Sequence, residues 1–350
     1  MTLPHHSRLC TLLGLLTLLT IVALPLTGNA NAAEKEALER PNILWLVSED
    51  NSTYWVSCYG SPNAKTPNID RLAAEGFRYT HCYDNSAVCA PTRNTWLTGI
   101  HCISTGNQPM RSFYEVPSEV LKNTYINQLM ATGYMVSAKY KQDFNFEQSH
   151  WKNLKGNLKQ DWKKTPNGKP FFIIRNYAES HESRAFPNNK PVQTDPATMT
   201  LHAYHPDLPE IRQSYARYSD AVAKMDKNIG DNIKWLKKTG QYENTIIIYS
   251  SDHGGVMPRS KRFMYNSGTH CPLVIRIPEK YKHLWPAEKP GSTVDRLVSF
   301  VDMPKTWLSL AGAKIPESYQ GTIFLGKNTE PEPAHHFAYR GRADECLDMA

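Results

Sequence analysis

Beyond residue 32 the chain has no apolar run approaching the roughly 18 residues a membrane span needs. It has no internal repeat and no glycine or proline period, and none of its 7 cysteines stands in a CxxC pair. Those absences exclude solenoid, collagen-like and disulfide-scaffold classes, and no disulfide is expected among the cysteines at 58, 82, 89, 102, 271 and 346. Charge of one sign is also scarce: a formal net charge of +7 over 350 residues, with no dense basic motif, does not point to nucleic acid. The mild positive balance suits an anionic substrate instead. What remains is 40% hydrophobic and 21% charged, enough for the core of one large domain or two smaller ones.

Residues 1–32 read as an export signal, with Arg8 in the n-region, an apolar stretch over 9–26 and Ala30-Asn31-Ala32 as a small-residue cleavage site. Pro25, Gly28 and the lack of a basic flank after the run argue against a stable membrane anchor, so a periplasmic or secreted protein is expected.

Short apolar runs at 43–47, 134–138, 171–174, 245–249 and 273–277 read as buried parallel strands. Helical patterns fall between them. Thr66-Pro67, followed by Ile69, Leu72, Ala73 and Gly76, supplies an N-cap, a proline at the first position, an apolar stripe and a stop. Apolar residues spaced by three or four over 211–238 predict the longest helix. Strands alternating with helices define an α/β fold with a mainly parallel sheet flanked by helices. The basic stretch 151–169 and the Pro/His-rich stretch 186–209 read as surface excursions. His202 and His205 there lack further ligands at metal spacing, and the lysines of 151–169 read as a solvated face.

Polar residues follow each run: Ser48-Glu49-Asp50, Lys139, His181 and Ser250-Ser251-Asp252-His253. In open α/β sheets ligands bind beyond the carboxyl ends of strands, so these groups can converge on one crevice. Glu49, Asp50 and Asp252 would repel one another there without a cation, which implies a hard divalent ion. His253 is either a fourth ligand or a donor behind one. In Cys89-Ala90-Pro91-Thr92-Arg93, Pro91 suits a first helical position, leaving Cys89 just outside an N-terminus that favours anions. Local sequence leaves Cys89 equally a buried small residue or a nucleophile precursor.

The Cys-x-Pro-x-Arg signature at Cys89 to Arg93 resembles that of the formylglycine-dependent sulfatases of the alkaline phosphatase superfamily. It stands with the family's other blocks in the family's order: Pro41-Asn42-Ile43 through Asp50, Thr66 through Leu72, Ser251-Asp252-His253-Gly254, and the block 298–312, which looks like a late helix. Glu179-Ser180-His181-Glu182-Ser183-Arg184 is most similar to the branch holding arylsulfatases, heparan sulfamidases and related bacterial enzymes. The resemblance implies oxidation of Cys89 to formylglycine by a formylglycine-generating enzyme. One hydroxyl of its hydrate attacks sulfur and the other loses a proton to eject sulfate. It implies Glu49, Asp50, Cys89, Asp252 and His253 as calcium ligands. Arg93 and Lys139 would stabilise the nucleophile, Lys261 would bind sulfate and His181 would lie near the leaving group.

Three departures from the family pattern stand out. Glu49-Asp50 replaces Asp-Asp and His253 replaces Asn, while the lysine-x-histidine pair is Lys139-Tyr140-Lys141, so Lys141 stands where a histidine base is usual. The resemblance further implies a catalytic domain over 33–330 and the start of a truncated smaller C-terminal domain over 331–350. The expected activity is an exported sulfatase cleaving sulfate esters or N-sulfates of a sulfated carbohydrate. Two alternatives stay open: a phosphoester or phosphonate hydrolase of the same superfamily, marked by zinc or manganese, and a non-catalytic binder of sulfated glycans, marked by an unconverted Cys89 thiol.

Overall fold

The computed structural model describes residues 40–112, 115–146, 158–159, 161, 163, 168–188 and 190–340. The segment 1–32 read as an export signal, most of 151–169 and residues 341–350, with Cys346, lie outside the described residues. Seven strands form one sheet in the order β3-β4-β1-β5-β6-β2-β7. They are β1 (Asn42–Ser48), β2 (Phe77–Tyr83), β3 (Met135–Ser137), β4 (Phe171–Tyr177), β5 (Thr245–Ser251), β6 (Leu273–Arg276) and β7 (Thr293–Ser299). The helices are α1 (Pro67–Ala74), α2 (Cys89–Thr98), α3 (Ser118–Lys122), α4 (Tyr125–Ala131), α5 (Pro209–Lys238), α6 (Asn266–Thr269) and α7 (Asp302–Leu310).

Every residue of β1 and of β5 is buried, which is why both read as apolar runs rather than alternations. Their side chains nonetheless divide by parity. Ile43, Trp45 and Val47 face a core shared with Trp96 and Leu97 of α2, Ile126 and Leu129 of α4 and Trp307 and Leu308 of α7. Leu44 and Leu46 face the other core, with Ile69 and Leu72 of α1 and Tyr218, Val222, Met225 and Ile229 of α5. Trp45 anchors the first layer, its ring 4.7 Å from Trp96 and 5.6 Å from Trp307. The result is a sheet with helices on both faces, as the alternating pattern predicts.

Strands β3, β4, β1 and β5 pair parallel, as do β2 and β7. The run at 273–277 is a correction: β6 is antiparallel to both β5 and β2. A parallel return usually runs through a helix long enough to span the sheet, and in the connection from Ser251 to Leu273 the one α-helix is the four-residue α6. Strands β2 and β7 have no apolar run to betray them, because Arg78, Thr80, Asp295 and Arg296 interrupt them. The block 298–312 likewise opens on the end of β7 before α7 begins at Asp302.

Thr66 precedes α1 as expected, yet its side chain does not cap the helix. Its Oγ1 accepts from the Ser57 amide at 2.9 Å and donates to Asp70 at 3.3 Å. The free amides at the start of α1 go to Asp226 of α5 instead, whose carboxylate accepts from the backbone of Asn68 and of Ile69 and from Asn68 Nδ2 at 2.7 Å. The cap is a tertiary contact, and no local pattern reveals it. Asp226→Ala therefore leaves buried donors unpaired and is expected to cost on the order of 2–4 kcal/mol, read as a lower midpoint in urea unfolding with unchanged slope. An unchanged midpoint would show the cap to be dispensable.

Candidate active site

Three neighbouring parallel strands, β4, β1 and β5, deliver their carboxyl ends side by side. The ladder continues past them: Glu49 N donates to Tyr177 O, Asp252 N to Ser48 O and Asn51 N to His253 O, each at 3.1 Å. Asp50 then turns the chain with φ 51°, a left-handed conformation uncommon outside glycine. The turn is held from three sides, by Asp50 N donating to Asp252 Oδ1 (2.9 Å), Glu182 N donating to Asp50 Oδ2 (2.7 Å) and the Tyr218 hydroxyl donating to Asp50 O (2.5 Å). Gly254 follows because a Cβ there would stand 2.2 Å from the Ser267 carbonyl oxygen.

Helix α2 supplies Cys89 as its first residue, with Val88 as the N-cap and Pro91 inside the first turn. Cys89 thus lies on the helix rather than just outside it, two positions further in than Pro91 alone suggests. All ten residues of α2 are buried. Asp84 shapes the preceding loop: its carboxylate accepts from the amides of Asn85, Ser86 and Ala87 and from the Thr92 hydroxyl. Asn85 fixes that loop to a later segment, its Nδ2 donating to Phe337 O at 2.6 Å while its own carbonyl accepts from Tyr339 N at 2.7 Å.

One ligand atom from each of Asp50, Cys89, Asp252 and His253 lies within 4.8 Å of the others. His253 Nδ1 donates to the Gly254 carbonyl oxygen at 2.8 Å, which aims Nε2 at Asp50 Oδ1 (2.9 Å) and Cys89 Sγ (3.3 Å). Two carboxylates, an imidazole nitrogen with a fixed tautomer and the side chain at 89 form a donor set that fits one divalent cation. Glu49 is not in this cluster. Its carboxylate takes the Lys141 ammonium at 2.9 Å, which satisfies it elsewhere.

Charge compensation in the protein itself is dense. Arg93, fully buried, donates to Asp252 Oδ2 at 2.9 Å and to Asn176 Oδ1 at 2.8 Å. Lys261 donates to Asp50 Oδ2 and to Glu182 Oε1, both at 3.0 Å. Burial works against the Asp252 carboxylate, but His253 and Arg93 outweigh it and hold it at about 2. Burial likewise opposes ionised Asp50, and His253 and Lys261 keep it well below the usual carboxylate range. The ammonium of Lys141 is disfavoured by burial and by Arg93, yet Cys89, Asp252 and Glu49 push it above the usual lysine value.

The two lysines after β3 part company. Lys139 is exposed, its ammonium 5.8 Å from the Tyr140 ring centroid, whereas Lys141 is the one turned into the site. The buried strand ends at Ala138, and Glu49 draws the second lysine inward. His181 borders the cluster, with Nε2 4.0 Å from Asp50 Oδ2, and its Nδ1 accepts from Ser183 N at 3.3 Å. Asn176, Glu182, Tyr218 and Asp84 were not anticipated as site residues. Glu182 lay within a recognised block, while the others are identified only by tertiary contact. His205 spends both ring nitrogens on the protein, on the Tyr215 hydroxyl (2.8 Å) and Pro258 O (3.0 Å), in line with its reading as no metal ligand. The cysteines at 58, 82, 89, 102 and 271 are free thiols.

A helix N-terminal cysteine faces acids and a histidine at the carboxyl ends of a mainly parallel sheet, which defines an α/β protein with one buried polar cluster at the usual ligand edge of such a sheet. Residues 41–155 and 152–313 match the family model described as Sulfatase. The chain belongs to the sulfatase family.

Among curated relatives, an ulvan-active sulfatase of Formosa agariphila is 30% identical over 91% of this chain and 60% of its own length. The N-acetylglucosamine-6-O-sulfatase of Bacteroides thetaiotaomicron is 25% identical over 87% of this chain and 73% of its own. The chain thus spans about 60% of the length of the first of these relatives. In fold it is similar to a protein solved with its substrate D-glucosamine-2-N,6-O-disulfate (TM-score 0.58, 22% identity, 84% of this chain and 82% of that one). It is also similar to the phosphonate monoester hydrolase of Silicibacter pomeroyi (TM-score 0.61, 19% identity, 81% and 75%).

The brace on the Cys89 loop carries a pH signature. His336 Nε2 donates to Asp84 O at 3.1 Å and Nδ1 accepts from Ser299 Oγ at 3.2 Å, and burial pulls its pKa down to about 4. Its folded value lies below the unfolded one of about 6.5, so between the two the unfolded chain binds the extra proton. Its contribution to stability is complete above about pH 6.5 and is lost as pH falls toward 4. His336→Gln is expected to flatten the fall in melting temperature over that window relative to the parent. Parallel curves would show that His336 does not titrate with unfolding.

Proposed function

We propose that this chain is the catalytic part of an exported sulfatase that hydrolyses sulfate esters or N-sulfates of an anionic carbohydrate, through formylglycine formed at Cys89. The observation that carries the reading is Cys89 at the N-terminus of α2, within one ligand cluster of Asp50, Asp252 and His253. Formylglycine, when present, supplies a geminal diol with one oxygen to attack sulfur and a second to release it. A divalent cation held by Asp50, Asp252, His253 and residue 89 supplies Lewis acidity, and with an oxygen at residue 89 the set is hard enough for calcium.

The remaining steps belong to this chain's own groups. Arg93 and the α2 amides favour negative charge at residue 89. Lys141 and Lys261 are cations on either side of Asp50 and Glu49, suited to neutralising sulfate oxygens. Lys141, paired as an ammonium with the Glu49 carboxylate at 2.9 Å, acts as an anion anchor and not as the base. His181 turns Nε2 toward the cluster, 4.0 Å from Asp50 Oδ2, where as an imidazolium it would deliver a proton to a leaving alcohol or amine and be left as the neutral ring.

A cleft of about 880 Å³ opens on Glu49, Lys141 and Asn176, and Arg175, Arg184, Lys190, Lys224 and Lys227 outnumber its carboxylates. A cavity of that size and charge suits an oligosaccharide bearing acidic groups. Cys89 and Arg93 are only 2% and 1% exposed, so a formylglycine-generating enzyme has to reach the signature before the chain closes over it.

The test is expression together with a formylglycine-generating enzyme, mass spectrometry of the peptide holding residue 89, and turnover of 4-nitrophenyl sulfate. An aldehyde at 89 with turnover that Cys89→Ala abolishes is the expected result. Chelation should lower both activity and melting temperature, with calcium restoring both. A retained thiol with no turnover under these conditions would refute the mechanism, and cleavage of a phosphonate monoester alone would favour the phosphonate hydrolase alternative.

The lysine assignment is separable. Lys141→Ala should lower kcat/KM by about 100-fold or more, the cost of one lost charge-stabilising donor, while Lys139→Ala stays within about twofold. Equal losses would return Lys139 to the site.

A further inference from the structure

A second cavity, of about 490 Å³, lies apart from the cluster: none of Glu49, Asp50, Cys89, Asp252, His253 or Lys261 lines it. Its walls come from three places in the chain, the turn after β1, the Pro/His-rich stretch and the segment leading into α6. They are aromatic. The His202 ring lies 3.9 Å from that of Tyr54 and stacks at 9° on Tyr204. Tyr204 and Tyr265 are among the most exposed large side chains, at 42% and 47%. His202 and Arg259 cover Tyr204 and Arg259 covers Tyr265, so what these exposed rings leave to the cavity is mainly their edges and hydroxyls.

Arg259 completes the cavity. Its guanidinium lies 3.9 Å from the centroid of Tyr265 and 4.9 Å from that of Tyr204. Among the described residues it has no hydrogen bond and no ion pair, whereas Arg93, Arg212, Arg217 and Arg276 all donate to protein oxygens. No aspartate or glutamate lines the cavity. His202 is held neutral by burial and by His205, and His270 spends Nε2 on Thr80 O (2.7 Å), so Arg259 is the one formal charge among the lining residues. Its backbone sits at φ 71°, a strained setting for arginine that places the side chain between two rings. The group is oriented over two rings, exposed to solvent and left with its five N–H donors free of protein partners among the described residues.

We infer that this cavity is a second carbohydrate site, which packs one pyranose ring against the exposed edges of Tyr204 and Tyr265 and receives an oxyanion of that sugar on Arg259. Sugar C–H groups pack on the aromatic walls, and Ser61, Asn266 and Ser267 of the lining offer hydroxyl and amide partners for sugar hydroxyls. A planar guanidinium matches either a sulfate or a carboxylate in bidentate fashion, so a sulfated sugar and a uronic acid share the chemistry. The segment Arg259 to Lys261 links the two centres: Lys261 is buried on Asp50, and Arg259 serves the new cavity. One acidic glycan can thereby be held at a unit other than the one being cleaved.

Binding, not turnover, is the readout, so the inference stands or falls separately from the sulfatase reading. The full chain carrying Cys89→Ala is titrated calorimetrically at physiological salt with dextran sulfate oligosaccharides, oligogalacturonate and unsulfated dextran. The expected result is binding of at least one anionic probe, weakened tenfold or more by Arg259→Gln and by Tyr265→Ala and partly recovered in Arg259→Lys. Which anionic probe loses more tells sulfate from carboxylate.

In chains with Cys89 intact, 4-nitrophenyl sulfate turnover, if present, should stay within twofold in Arg259→Gln. If Arg259→Gln fails to fold, Tyr204→Ala, at an exposed side chain, decides. The inference is overturned if neither anionic probe binds or if the variants bind within twofold of the parent. It is also overturned if small-substrate turnover falls in step with binding, which would make Arg259 a support for Lys261.

Discussion

Two carboxylates with no access to water, Asp50 and Asp252, stand at the ends of adjacent strands and have to be neutralised from within. Arg93 answers Asp252 and Lys261 answers Asp50, while His253 lies between the two acids. Each answering group comes from a different part of the chain: α2, the segment before α6 and the end of β5. Burying charges this way contributes little net stability, but removing one partner leaves an uncompensated charge that costs about 3–5 kcal/mol. The network is therefore a constraint on geometry. It fixes the start of α2, hence the position of Cys89, against two strand ends whose hydrogen bonds tolerate little displacement.

How much of this was legible depended on whether the signal was local. Strands β1, β3, β4 and β5 are read from apolar runs because both of their faces are covered. The acids and histidines beyond them follow from the rule that parallel strands present their carboxyl ends together. Strands β2 and β7 carry polar residues and went unseen, and β6 was given the wrong direction, because direction is a property of the connection and not of the strand. At the site, Asp50, Asp252 and His253 converge as the strand ends implied, and Cys89 joins them as the family resemblance implied. Glu49 and Lys139 do not, because ion pairing chose among side chains that sequence spacing treats alike: Lys141 reaches Glu49, and Lys139 stays at the surface.

Strain gathers around the same region. Asp50, Ala87, Arg259 and Arg262 all have positive φ, and they lie in the turns after β1, before α2 and before α6. Each is held by contacts beyond its own loop: Arg262 N donates to Ala87 O at 2.8 Å, which couples two of the strained positions directly. Such backbone persists only where the surroundings over-determine it. The Asp84 carboxylate and the amides it gathers do that for the loop before Cys89, as Tyr218 and Glu182 do for Asp50.

Helix α5 runs unbroken for 30 residues, about 45 Å at the usual rise. Along it, Arg217 holds the carbonyl of Lys190, Tyr218 that of Asp50 and Ser219 that of Asn63, while Asp226 caps α1. Loops normally inherit their positions from their own short anchors, and their errors accumulate. Here four separate segments take their positions from one stiff rod, as marks do from a ruler, so their spacing to one another is as invariant as the helical repeat. The reach of the site toward its ligand is set by that common scale, and a loop can change in length or composition without altering where its neighbours stand.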